Sequence, residues 1–431
     1  MGGCLEGRRS NLLIICWAWR MARQFINDFT GMENGSFLHW KEYDTMEKIF
    51  NITADCKPNM HYMVDLTSRL TQMKSYVDKG IYFTINRPRQ YGKTTMLRTL
   101  KEQLKDGYYV VNMDLQMHMS HAKFRDENRF SVAFAKAFIR IMQKLDAVLS
   151  MELKKALERM KMAVQVNEEE FELVELFQYL SDICRVSNRP VVLMVDEVDR
   201  AINQPIFLDF LSQLRGYYID REQSPAFQSV ILAGVYDIKN LRSRLSMEDQ
   251  HRMNSPWNIA VDFKGDMRFS QEEIEGMLKD YEEDHDTGMD TRKMAERIYD
   301  HTAGYPFLVS KICKIIDEEI AGSEDFPDEK AAWTYEGFLE ADRILLGEKN
   351  VLFESMVNKL YDFPELKDMV YSILFTGKEI PYFALNQTIE LAELFGFIKN
   401  DNGAAVIANR VFEMVFYKLF LKSPENKISV Q

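Results

Sequence analysis

Arg87-Pro88-Arg89-Gln90-Tyr91-Gly92-Lys93-Thr94-Thr95 decides the fold of this 431-residue chain. The apolar run Ile81-Tyr82-Phe83-Thr84-Ile85 precedes it, and Met96-Leu97-Arg98-Thr99-Leu100, with helical spacing, follows. A strand, a tight loop ending in Gly-Lys-Thr, and a helix make a phosphate-binding loop. The loop amides and the positive end of the helix dipole would cradle phosphates. Lys93 would reach the outer phosphate oxygens, and the Thr94 hydroxyl would ligate Mg²⁺. The usual pattern places a further glycine where this chain has Arg87. Pro88 then fixes φ near −65°, so the loop starts stiff. A Gly-Lys-Thr tripeptide is common in loops, and a second motif is needed.

That motif lies about a hundred residues on. Arg189-Pro190 introduces Val191-Val192-Leu193-Met194-Val195, which ends in Asp196-Glu197-Val198-Asp199. A continuous apolar strand is what the centre of a parallel sheet requires. Carboxylates at its C-terminal tip sit where ligands bind in open α/β sheets. Asp196 would hold the Mg²⁺ shell, and Glu197 would polarise an attacking water as general base. Alone, the pair also reads as an acidic cap for the next helix. In this order after the Gly-Lys-Thr loop, it marks a P-loop NTPase.

Composition narrows the class further. The chain is long enough for two or three domains, and 46% hydrophobic and 12% aromatic residues support a substantial core. A net charge of −12 opposes broad attraction to nucleic acid, while leaving room for a local basic patch. Cys4, Cys16, Cys56, Cys184 and Cys313 are scattered and form no C-x-x-C pair. They read as free thiols of a reducing, cytoplasmic compartment and give no zinc site. Residues 1–45 differ from the rest: Arg8-Arg9 precedes the apolar run Leu12 to Trp19, and Arg20 and Arg23 follow. The run is too short to span a bilayer and lacks a small-residue cleavage site. It reads as a poorly ordered extension or sequence upstream of a start at Met46, with a membrane-surface helix as the other reading.

Along the chain, strands are expected at Tyr108 to Asp114, Val191 to Val195, Ser229 to Val235 and Trp257 to Phe263. Helical patterns at Phe130 to Leu145, Phe171 to Arg185 and Pro205 to Tyr217 alternate with them, with a charged region, Met151 to Glu170, between the first two. Alternation implies an α/β fold with a doubly wound parallel sheet over residues 46–268. Helices at Ser270 to Glu283, Asp290 to His301 and Pro306 to Ile320 form a helical lid, residues 269–345. Ser270 with Glu273 makes a capping box, and Asp290 a cap. In residues 346–425, helical stretches at Val351 to Tyr361, Pro364 to Thr376 and Leu385 to Gly396 precede a hairpin turning at Asp401-Asn402-Gly403. Helices followed by a hairpin suggest a winged-helix-like domain.

With both motifs placed, the chain resembles a bacterial family of AAA-like ATPases related to the archaeal-type and STAND branches of the AAA+ class. The resemblance spans roughly Met46 to Leu421. It is carried by Phe83 to Thr95, Val191 to Arg200, Ile231 to Asp237, Ser255 to Ala260 and Gly304-Tyr305-Pro306-Phe307-Leu308. It implies ATP and Mg²⁺ as ligands, and makes the Arg-Pro-Arg start of the loop a family trait. It places Arg89, Gln90, Tyr91, Gly92, Lys93, Thr94 and Thr95 around the phosphates, Tyr62 to Val64 and Pro306 near adenine, and a polar sensor at Asp237 (or Tyr236). Asp237 also reads as a helix cap, and Gly304-Tyr305-Pro306 as a plain turn into a helix. Arg242 and Arg244 are arginine-finger candidates that also read as a solvated helix face; Arg200 and Arg215 are weaker ones. Arg87 and Arg89 are further candidates for phosphate contact.

A duplex-binding winged helix would carry several Lys or Arg residues on its recognition helix. The helix before the hairpin instead carries Glu390 and Glu393, and the wing adds little beyond Lys399 and Arg410. Protein packing, within the chain, in a homo-oligomer or with another protein, is therefore weighted above DNA. The leading expectation is an ATPase that acts as a nucleotide-dependent conformational or assembly switch. A DNA-associated regulatory or mobile-element ATPase and a nearly non-hydrolytic nucleotide-gated scaffold are the alternatives.

Overall fold

The computed structural model describes residues 47–145, 148–235 and 257–422. Helix α1 (Thr67–Asp78) leads into β1 (Phe83–Asn86), the phosphate-binding loop and α2 (Lys93–Leu104). Next come β2 (Tyr109–Asp114), the short α3 (Leu115–His118), α4 (Glu127–Gln143), α5 (Met151–Val166) and α6 (Leu173–Val186). The sheet is completed by β3 (Val191–Asp196), then α7 (Pro205–Ile219), β4 (Ser229–Gly234) and β5 (Val261–Asp262).

The strands pair in parallel in the order β2-β3-β4-β1-β5. Strand β4 thus separates the strand that feeds the loop from the strand that ends in Asp196. Because all five run the same way, their C-terminal tips meet along one edge, where a ligand crevice forms. Successive residues of β3 face opposite sides. Val191, Leu193 and Val195 join an aromatic core with Phe130, Phe134, Phe138, Phe177 and Phe210 of α4, α6 and α7. Val192 and Met194 join Met73 and Val77 of α1 and Met96, Leu97 and Leu100 of α2. Burial on both faces explains why this strand reads as unbroken Val, Leu and Met.

Two expectations change. The fifth strand covers two residues, not seven, because Trp257 to Ile259 turn to bury the Trp257 ring beside Tyr82. The charged stretch after Leu149 is helical from Met151 to Val166: Ser150 caps it by accepting from the Leu153 amide, and Leu153, Ala156, Leu157, Met160 and Val164 bury one face.

After the sheet the chain is helical. Arg69 of α1 donates to the Asp266 and Arg268 carbonyls and pairs with Glu273, pinning the next helix to the α/β body. That helix, α8 (Gln271–His285), carries both hydrogen bonds of the Ser270–Glu273 capping box. Asp290 caps α9 (Thr291–Thr302) through the Lys293 amide. Helix α10 (Pro306–Lys314) continues as a π turn, Ile315–Ile320. Helices α11 (Glu329–Ala332), α12 (Tyr335–Gly347), α13 (Val351–Asp362), α14 (Pro364–Tyr371) and α15 (Gln387–Leu394) follow. The antiparallel hairpin β6 (Ile398–Asp401) and β7 (Ala404–Ile407) turns at Asn402 and Gly403, whose φ values of +51° and +90° suit a two-residue turn. Helix α16 (Arg410–Lys422), absent from the sequence reading, closes the chain's described part. One apolar cluster runs through α8 to α16, including Tyr281, Leu308, Trp333, Phe353, Phe397 and Phe416. Among the described residues no helix is long and apolar enough to cross a membrane. The expectations for residues 1–45 lie outside the described residues.

Candidate active site

The loop owes its shape to three backbone features. Pro88 stiffens its start, Gln90 sits at φ +55°, and Gly92 at φ +79° turns the chain into α2. A Cβ at Gly92 would meet nothing within 4 Å, so the glycine is required by its left-handed backbone and not by crowding. The buried Lys93 ammonium donates to the carbonyls of Arg87 (2.9 Å) and Pro88 (2.8 Å). Burial holds its pKa below the ordinary lysine value, opposed by the carboxylates of Asp199, Glu197 and Asp196.

Arg87 does not extend toward the phosphate cradle, which corrects its place among the phosphate-contact candidates. Its guanidinium donates to the carbonyls of Asn86, Phe263 and Gly265, so it ties the loop to the chain leaving β5. Five guanidinium donors can satisfy several carbonyls at once, a task no glycine performs. Arg89 is exposed and lines the adjoining cavity.

The second motif meets the first directly. Thr94 Oγ1 donates to Asp196 Oδ2 at 2.8 Å, and Asp196 Oδ1 accepts the Glu197 amide at 2.9 Å. Asp196 is 4% exposed, and burial pushes its carboxyl pKa up against the lowering effect of Thr94. Glu197 makes no capping bond, so the acidic-cap reading does not describe its side chain. Its backbone lies at φ +56°, ψ 39°, a strained conformation costing ~1–3 kcal/mol for a non-glycine residue. Burial raises its carboxyl pKa, and the neighbouring Asp196 adds to the rise. Asp114 lies opposite Asp196 in register but spends its carboxylate capping α3, accepting from the amides of Gln116 (2.7 Å) and Met117 (3.0 Å).

Lys93, Thr94 and Glu197 open into a cavity of about 660 Å³, a size that suits a nucleotide-scale ligand. Arg89, Gln90, Tyr91, Gly92 and Thr95 also line it, as do Tyr62, Met63, Val64, Pro306 and Phe307. The Tyr62 ring itself turns into the helical core, packing on Phe50 and Tyr281 while its hydroxyl donates to Asp284 at 2.9 Å. Thr95 Oγ1 accepts the Cys56 amide at 3.1 Å, anchoring a cavity-lining segment, Asn51 to Cys56, that carries no motif in the sequence. Tyr305 OH donates to the Arg89 carbonyl at 2.5 Å, and its ring meets Tyr91 edge-on at 4.7 Å. Burial pushes the Tyr91 phenol up to about 12. Val351 and Leu352 of α13 also reach the cavity, another contact without a sequence signal. Tyr236, Asp237, Arg242 and Arg244 lie outside the described residues.

A glycine-turned helix start, a lysine held among its loop carbonyls, and a Thr94–Asp196 hydrogen bond meet beside this cavity. A family model for the AAA-like domain matches residues 59–375. The chain belongs to this AAA-like family. No curated protein matches the sequence. Among solved structures, the AAA-like chain is similar to the Walker-type ATPase PABY2304 of Pyrococcus abyssi, with 12% identity and a TM-score of 0.55, over 85% of this chain and 99% of that one. At that identity the likeness shows the fold alone. The Aeropyrum pernix ORC2 protein in ADPNP–ADP complexes fits more loosely, with 11% identity and a TM-score of 0.44 over 83% of this chain and 95% of that one. Family and site together identify a nucleotide-binding ATPase domain.

Proposed function

We propose that this AAA-like protein binds ATP with Mg²⁺ in the cavity beside Lys93, hydrolyses it, and uses the nucleotide state to switch conformation or assembly. The observation that carries the reading is the Thr94–Asp196 hydrogen bond, which brings the two motifs together beside a nucleotide-sized cavity lined by Thr94 and Glu197. The Gly92 and following amides at the start of α2 bind phosphate oxygens. The Lys93 ammonium exchanges loop carbonyls for those oxygens. Thr94 and Asp196 hold Mg²⁺, which when bound neutralises charge on the phosphates. Glu197 accepts a proton from the attacking water, and a carboxylate whose pKa is raised by burial suits that task. Arg242 or Arg244 as the finger and Asp237 as the sensor belong to the same proposal, as does a cytoplasmic setting.

The switch reading is supported by how the C-terminal elements meet the loop. Gly396 sits at φ +74°, and a Cβ there would lie 2.8 Å from Pro88 Cγ. Tyr305 bridges the two, bonded to Arg89 and packed edge-on against Phe412 of α16 at 5.3 Å. A shift in the loop would therefore press on the winged-helix-like part, residues 346–425. Glu390 and Glu393 on α15 favour a protein surface or a second copy as its counterpart over DNA. Light scattering after size exclusion with ATP, ADP and no nucleotide tests this. A change in mass or hydrodynamic radius with ATP is expected; one profile in all three conditions would count against the switch.

A further inference from the structure

From the contacts at the tips of β3 and β4 we infer that Asp199 is a positioning residue for Glu197. The Val235 amide, just past β4, donates to both Asp199 oxygens, at 2.9 and 2.8 Å. Asp199 reaches it because the chain reverses at Glu197 into the half-turn Val198–Arg200. The join is close-packed: a Cβ on Gly234 would lie 2.7 Å from Val198 Cγ2 and 2.9 Å from Asp199 Oδ1. Glycine at 234 is thus what lets the half-turn dock on β4.

A left-handed, non-glycine backbone persists only where its surroundings over-determine it. Glu197 has that backbone, and its own side chain makes no capping bond to hold it. On one side it is fixed by its amide on Asp196 Oδ1. On the other it is fixed by the Asp199 clamp on a neighbouring strand, two residues on. Asp199 therefore acts through Glu197, holding the strained peptide that aims the glutamate along the cavity edge. It also sets β4, the strand between the two motif-bearing strands, at a fixed height against β3.

This inference rests on the hydrolytic reading, and its test separates the two. In the full chain, Asp199→Ala should lower single-turnover hydrolysis by roughly tenfold or more while ATP affinity stays within about threefold. Asp199→Asn, which keeps an acceptor oxygen for Val235, should recover most of the rate. In a Glu197→Gln background, Asp199→Ala should cost nothing further, since residues acting as a unit are not additive. Equal losses in rate and affinity, no rescue by asparagine, or a full additional loss beside Glu197→Gln would overturn the inference. Hydrogen exchange at the Val235 amide reads the clamp without turnover: faster exchange in Asp199→Ala and slow exchange in Asp199→Asn support it, and equal exchange overturns it. A wild-type chain that binds ATP without turning it over would defeat the hydrolytic reading while amide exchange still decides on the clamp.

Discussion

Thr94 Oγ1 donates to Asp196 Oδ2 at 2.8 Å, joining the first turn of α2 to the tip of β3 past the intervening strand β4. Two residues 102 positions apart are thereby linked by one hydrogen bond beside the cavity that Thr94 lines. These are the groups proposed to hold Mg²⁺, and the neighbouring Glu197 adds a half-buried second carboxyl.

That arrangement weakens the fold at neutral pH. Burial raises both carboxyl pKa values above 3.8 for Asp196 and 4.5 for Glu197. A carboxyl raised in the folded state contributes stability fully below its ordinary value, and that contribution is lost as pH rises through the raised value. The double substitution Asp196→Asn, Glu197→Gln should therefore raise Tm, and by more at about pH 8 than at about pH 4. Thermal melts across that range check it; a difference independent of pH would contradict the buried-charge picture.

Lys93→Ala should remove nucleotide binding. The loss of one charge-assisted hydrogen bond alone is worth ~1.5–3 kcal/mol, or about 10-fold to 150-fold in Kd. Calorimetric titration with Mg·ATP measures it, and wild-type affinity in the variant would remove Lys93 from the site.

Gly396→Leu places a side chain against Pro88 and strains a left-handed backbone. If the C-terminal elements report on the loop, release of bound ADP should quicken, by several-fold or more, because a strained residue costs ~1–3 kcal/mol. Stopped-flow displacement of a fluorescent ADP gives the rate. Unchanged release in a folded variant would separate the contact from nucleotide control.

Local chemistry was legible in the sequence, and long-range contacts were not. Gly92-Lys93-Thr94 and Asp196-Glu197 are short motifs whose neighbours in sequence supply the strand and the helix start. The capping box at Ser270 and Glu273 was readable for the same reason. Arg87 was a candidate for phosphate contact, yet two of its carbonyl partners, Phe263 and Gly265, lie far along the chain. Helix α5 was masked by charge, although Leu153, Ala156, Leu157, Met160 and Val164 carry the helical spacing. The fifth strand was read too long because alternating apolar residues cannot show that the Trp257 ring is buried by a turn. Nothing local marks Asp199 as the acceptor for Val235, or Gly396 as the neighbour of Pro88.

The sheet's aromatic side should be its most sensitive packing point. Phe210 has ring centroids of Phe134, Phe130, Phe177 and Phe207 at 4.8, 5.4, 5.4 and 6.0 Å. Phe210→Ala should cost ~3–5 kcal/mol, read by urea unfolding, and leave the loop chemistry untouched at temperatures where the variant is folded. A loss below 1 kcal/mol, roughly a surface-like effect, would mean that this cluster is not central to the core.

Single-turnover hydrolysis of ATP by the wild-type chain and by Glu197→Gln, at matched saturation, bears most directly on the proposed chemistry. The expected result is turnover in the wild type that falls about 10²–10⁴-fold in the variant, with ATP still bound. Equal hydrolysis by the two proteins would contradict the role given to Glu197.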